Sequence, residues 1–158
     1  MTYNKKPLYI FDLDGTIADI SHRRHIIETD TRDSSKWRRF YSACDRDAPN
    51  EPVIRVMESL RLFADIWIFS GRSSEVRGKT EEWLKHHTSL TDFDLETCLM
   101  MRDEGDYTPD DQLKELWVKT MLIDDRRRLV AAFDDRDRVV KMWRKNGITC
   151  FQVAEGDF

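Results

Sequence analysis

Apolar positions in this chain come in short runs separated by longer amphipathic stretches. Leu8–Phe11, Ile66–Phe69, Leu129–Phe133 and Thr149–Val153 are brief and continuous, the pattern of strands buried on both faces of a parallel sheet. Cys98–Met101 is a candidate fifth strand. Between the runs, Pro52–Phe63 places Val53, Val56, Met57 and Leu60 at helical spacing. Glu75–His87 is a second helix. Asp110–Leu122 is a third, with Leu113, Leu116, Trp117 and Met121 on one side. Arg138–Lys145 is a fourth, stopped by Asn146-Gly147. This alternation predicts an α/β fold, a central parallel sheet with helices on both faces. Residues 21–50 break the rhythm. They are polar, with Ser34 or Ser35 as the N-cap of a helix over Lys36–Cys44, and read as a small excursion above the strand ends.

The chain's 158 residues suit one domain. A hydrophobic share of 40% supports a core, and a net charge of −4 gives no global basic signal, so any nucleic-acid contact must be a local patch. No apolar run reaches membrane-spanning length, and no signal peptide precedes the first strand. Cys44, Cys98 and Cys150 lack metal-type spacing and read as free thiols of a reducing, cytoplasmic setting.

Candidate chemistry gathers where the apolar runs end. The first is followed by Asp12-Leu13-Asp14-Gly15-Thr16. Catalytic groups in open parallel sheets collect at the carboxyl ends of strands. Two adjacent carboxylates there repel each other unless a cation or a proton intervenes, and a hard cation with oxygen ligands is the natural partner. A calcium loop would begin in the same way, but its third oxygen ligand and closing Glu are absent. The second run ends in Ser70-Gly71-Arg72, a hydroxyl and a guanidinium suited to phosphate but also an ordinary turn after a strand. The run at 129–133 ends in Asp134-Asp135, a second carboxylate pair that would complete a metal site beside the first. Asp124 and Asp125 look similar, yet the apolar residues before them continue a helical spacing, so they read as helix-end or loop residues. Arg126-Arg127-Arg128 after them reads as a solvated cluster. Lys36-Trp37-Arg38-Arg39-Phe40-Tyr41 interleaves basic and aromatic residues. It suits either a strand-tracking surface or a helix with Trp37 and Phe40 packed inward.

In order, Asp12-x-Asp14-Gly15-Thr16, Ser70, Lys114 and Asp134-Asp135 resemble the four motifs of the haloacid dehalogenase-like (HAD) phosphohydrolases. Several stretches are more specifically similar to the 3′-phosphatase domain of bacteriophage polynucleotide kinase. These are Ser70-Gly71-Arg72, Arg102-Asp103-Glu104-Gly105-Asp106, Asp110-Asp111 with Lys114, and the tail from Phe133 to Phe158. The likeness is poor over residues 24–50. It implies a HAD-like, Rossmannoid three-layer sandwich with a minimal cap, one domain over 1–158.

The resemblance also implies roles. Asp12 would be the nucleophile and Asp14 the acid/base, with Ser70 and Lys114 binding the transferring phosphoryl group. Asp110 would orient Lys114. Arg23 and Arg72, together with the Thr16 and Gly71 turn residues, would grip phosphate or substrate. Mg²⁺ would be held by Asp12, Asp14 (through its main-chain carbonyl) and Asp135, with Asp134 in support. The expected partner is a DNA or RNA 3′ end. A mononucleotide or other small phosphomonoester is the alternative, and a silent end-binding module is the alternative of another class. No Gly-x-x-x-x-Gly-Lys-Ser/Thr loop is present, so kinase activity is not expected. Oligomeric state is left open.

Overall fold

The computed structural model describes residues 5–29, 33 and 35–157. Five strands form one parallel sheet: β1 (Leu8–Phe11), β4 (Asp65–Ser73), β5 (Leu99–Arg102), β6 (Leu129–Asp134) and β7 (Thr149–Gln152). Their order is β5-β4-β1-β6-β7, so the first strand lies at the centre. Leu8, Ile10 and Phe11 are fully buried, as a strand covered on both faces requires.

Side chains alternate between two cores. Phe11, Ile66 and Ile68 face one cluster, joined by Ile54 and Met57 of α3 (Glu51–Arg61), Trp83 and Leu84 of α4 (Arg77–His87), and Leu95 of α5 (Asp92–Cys98). Ile10, Phe69 and Ala132 face the other, with Val118 of α6 (Asp110–Thr120) and Val139, Val140 and Trp143 of α8 (Asp137–Lys145). The two cores make a three-layer α/β sandwich, as the pattern of runs predicted.

Several details differ from the sequence expectation. Ser70-Gly71-Arg72 is not a turn: β4 runs on to Ser73, and its register with β5 slips between Ser70 and Ser73. Such an irregularity re-aims side chains at a strand end. The helix expected to end at Leu122 stops at Thr120, and a separate short helix, α7 (Ile123–Arg128), follows. Arg128 is not solvated. It donates to Asp125 at 2.9 Å and to Lys6 O at 3.0 Å, and it also bonds Asp65. α5 went unseen although Thr91 and Asp94 form a reciprocal capping box, a signal readable three residues apart.

The excursion contains more order than its polarity suggested. Two short strands, β2 (Ala18–Asp19) and β3 (Ala48–Pro49), pair antiparallel and close it at its base. Between them stand α1 (Ser21–Glu28) and α2 (Lys36–Ser42). Ser35 precedes α2 without a side-chain cap bond, and Ser34 lies outside the described residues.

Candidate active site

β1 sits between β4 and β6, so the carboxyl ends of three adjacent strands meet at the middle of the sheet. This is the crevice where open α/β sheets place ligands. Asp12 follows β1 directly, and its backbone N–H donates to Phe133 O at 2.9 Å, pinning it beside the end of β6. Asp134 ends β6 and Asp135 follows. One carboxylate oxygen from each of Asp12, Asp134 and Asp135 lies within 4.8 Å of the others, and all three residues are buried.

Lys114 reaches this group from α6. Its ammonium donates to Asp12 Oδ1 at 2.5 Å and to Asp134 Oδ2 at 3.0 Å, and it stands 3.5 Å from Asp110 Oδ2. Asp110 and Lys114 are one helical turn apart and share a face. Burial works against the lysine's charge, but Asp110, Asp12 and Asp134 outweigh it and hold the ammonium well above its usual range. Burial pushes the Asp12 carboxyl well up. Lys114 pulls it the other way, and Asp134, Asp135 and Asp110 add to the rise. Burial and then the Asp134 charge lift Asp135 to about 7.

Three buried carboxylates with one lysine leave excess negative charge in a low-dielectric site, which a divalent cation would offset. Asp12 gives one oxygen to Lys114 and keeps the other. The donors are all oxygen, which fits a hard cation such as Mg²⁺. Gly15 makes room for the cluster. Its φ is +89°, and a Cβ there would overlap Asp135 Oδ2 and lie 2.6 Å from its carboxyl carbon.

Asp14 belongs to a second network. Its Oδ1 accepts from Arg72 Nε at 2.7 Å and from Arg23 at 2.8 Å. Both guanidiniums also bind Asp47, Arg23 at 2.7 and 2.6 Å and Arg72 at 2.6 Å. Burial opposes the Asp14 charge, but Arg72 and then Arg23 outweigh it and hold the carboxyl below its ordinary value. Asp12 and Asp14 are two residues apart yet shifted in opposite directions, which is how two adjacent carboxylates come to hold different roles.

A cleft of about 510 Å³ opens above both networks, and Asp12, Asp14, Gly71, Asp110, Asp134 and Asp135 form its floor. Ser70 is fully buried beneath it, its Oγ accepting from Arg72 N–H at 3.2 Å. The Gly71 carbonyl accepts from Arg102 Nε at 2.8 Å and Tyr41 Oη at 3.4 Å. Arg23 and Arg72 are fully buried behind the cleft lining and pair with Asp14 and Asp47. Thr16 is likewise buried, its hydroxyl 3.5 Å from Asp135 Oδ1.

The profile of the polynucleotide kinase PNKP phosphatase domain, a HAD family, matches residues 6–158. The chain belongs to this family. As a PNKP-type phosphatase domain it is a hydrolase of the HAD class. A protein of Autographa californica nuclear polyhedrosis virus, whose name proposes a bifunctional polynucleotide kinase/RNA ligase, is 28% identical over 149 residues, 90% of this chain and 19% of the relative. A chain of the solved Pnkp1/Rnl/Hen1 RNA repair complex matches with a TM-score of 0.73 and 31% identity, over 97% of this chain and 44% of its own length. A HAD family enzyme from Bacteroides thetaiotaomicron, solved with magnesium and inorganic phosphate, shares the fold alone, with a TM-score of 0.53 and 11% identity over 97% of this chain and 96% of that one. The chain thus spans about a fifth of the viral relative and less than half of the repair-complex chain.

Two residues of the PNKP-type site escaped sequence reasoning. Asp47 sits in the segment 44–47, where a second aspartate two residues earlier gave no reason to choose it. It accepts from His22 at 2.8 Å besides the two arginines, and its main-chain oxygen accepts from Trp83 Nε1 at 2.8 Å. Trp143 lies in the tail that carries the resemblance, on α8, and is buried. Its indole N–H reaches Asp134 Oδ2 at 3.2 Å and steadies that carboxylate beneath Lys114.

Proposed function

We propose that this domain removes the 3′-phosphate from DNA or RNA ends through an aspartyl-phosphate at Asp12, with Mg²⁺ as cofactor. The observation that carries this reading is the buried meeting of Asp12, Lys114, Asp134 and Asp135 at the floor of an open cleft. Asp12 and Asp135, with Asp134 behind them, would hold the cation. When bound, it offsets the repulsion between the anionic substrate and this floor and polarises the phosphoryl group.

An Asp12 oxygen attacks phosphorus, and the bond to the sugar oxygen breaks. Lys114 keeps that carboxylate in place and balances charge on the phosphoryl oxygens. Asp14 gives its proton to the departing sugar oxygen, then takes one from the water that hydrolyses the Asp12 phosphate. Arg23 and Arg72 favour its ionised form, ready for the second half. The approach of an anionic phosphate offsets them and raises its proton affinity for the first half.

The test compares a 3′-phosphorylated oligonucleotide, its 5′-phosphorylated counterpart and a nucleoside monophosphate in Mg²⁺. Release confined to the 3′-phosphorylated strand is the expected result. Hydrolysis of the mononucleotide alone overturns the polynucleotide assignment and leaves a nucleotidase.

A further inference from the structure

The cleft above the catalytic floor has walls that phosphate chemistry does not use. On one side, α2 presents Trp37 and Tyr41, which lie beside each other with ring centroids 5.9 Å apart. Phe40, between them in sequence, turns inward and is buried against the Arg23 guanidinium, 4.1 Å from its ring centre. All three rings of this basic–aromatic segment line the cleft, and Phe40 is the buried one among them.

The loop between β5 and α6 lines the cleft as well and offers Tyr107. This side chain lines the cleft yet is 80% exposed, a large aromatic surface left uncovered by the protein. The loop beneath it is braced, because Arg102 donates to Thr108 O at 2.5 Å and Asp106 caps Thr108 N at 2.8 Å. Arg38 and Arg138 line the same cleft with 77% and 49% of their side chains exposed, in loose pairs with Glu75 at 3.9 Å and Asp111 at 3.7 Å.

We infer that Trp37 and Tyr107 form a stacking subsite for the base of the nucleotide that carries the phosphate, with Arg38 and Arg138 facing the strand's next backbone phosphates. This rests on the polynucleotide reading above and names the part of the substrate that the cap and the loop recognise. Any base has a π-face, so the subsite tolerates sequence and serves DNA and RNA alike. The guanidiniums at the rim add attraction for the phosphodiester chain without reading it. A base stacked inside a duplex has no free face to offer, so the preferred end is single-stranded or frayed.

The experiment pairs base-bearing and abasic substrates in two forms: a single strand ending in a 3′-phosphorylated nucleotide or abasic sugar, and the corresponding nucleoside or sugar phosphate. In wild-type protein the base of the strand substrate is expected to lower KM by roughly tenfold or more, the scale of base–aromatic stacking, with kcat little changed. Trp37→Ala and Tyr107→Ala should each shrink that KM ratio towards one, while Trp37→Phe and Tyr107→Phe keep most of it, since Phe retains a stacking face. Equal KM for base-bearing and abasic substrates in the wild-type protein overturns the subsite even if the strand is dephosphorylated. A base effect on the small pair without hydrolysis of the strand keeps the subsite and overturns the polynucleotide reading. A wild-type base effect that survives both alanine changes overturns the assignment to these two residues.

Discussion

Asp47 accepts from Arg72 at 2.6 Å, and neither side chain reaches solvent. The same Asp47 oxygen accepts from Arg23 at 2.6 Å, so one carboxylate from the cap fixes both guanidiniums that hold Asp14. Removing one partner of a buried pair leaves the others charged and uncompensated, at a cost of about 3–5 kcal/mol. Asp47→Asn, which keeps the shape but not the charge, is expected to fall towards the lower end. Urea unfolding measures the loss, and a midpoint equal to wild type would show that the network does not bear on the fold.

Gly15 is the only residue type that fits against Asp135, both for its φ of +89° and for the space a Cβ would take. Gly15→Ala should displace the carboxylate and reduce Mg²⁺ affinity by roughly 10–100-fold, the usual effect of disturbing the support of a ligand. Isothermal titration with Mg²⁺ checks this without any substrate.

The tail braces the main chain that carries this carboxylate. Gly156 O accepts from Asp137 N at 2.7 Å, Gln152 Nε2 donates to Asp135 O at 2.9 Å, and Val153 N donates to Asp134 O at 3.1 Å. A Cβ on Gly156 would overlap Asp135 O and lie 2.7 Å from Arg136 Cα. Gly156→Ala should therefore push the segment 135–136 and weaken Mg²⁺ binding by about tenfold or more, while the core stays folded. Titration and far-ultraviolet circular dichroism together separate the two effects.

The acidic floor also sets a pH dependence. Asp135 is lifted from 3.8 to about 7 by burial and by Asp134, so the folded state binds this proton more tightly than the unfolded chain. Its contribution to stability is full below about 3.8 and is lost as pH rises to about 7. Asp14 runs oppositely: its lowered value stabilises above 3.8 and fades as pH falls further. Metal-free protein should lose stability between those limits, and saturating Mg²⁺ should restore it by about 2.7 kcal/mol at one hundred times its Kd. Thermal melts with and without chelator across this interval read both effects.

The sequence pattern located Asp12, Asp134 and Asp135 because they stand at the ends of continuous apolar runs. Asp12 closes the first run and Asp134 the third, and strands buried on both faces carry few polar residues to confuse the reading. Lys114 was legible only through its resemblance, since on α6 alone it is one charge on a helix. Asp47 was invisible. Its importance comes from a contact with Arg72, 25 residues away, and no local period encodes that distance. Arg23 and Arg72 were legible as site residues through the resemblance, but their pairing with Asp14 was not, because it joins residues 9 and 58 positions apart. β2 and β3 are two residues each, too short for alternation to register.

The most direct test of the account is whether phosphate passes through Asp12. Wild-type protein mixed with a 3′-phosphorylated oligonucleotide in Mg²⁺, quenched in acid within one turnover and digested, should yield a phosphoryl group on the peptide bearing Asp12. Asp12→Asn should yield none and release no phosphate while keeping its fold. Phosphate release by Asp12→Asn, or turnover by the wild type with no phosphoryl group on that peptide, would contradict the account.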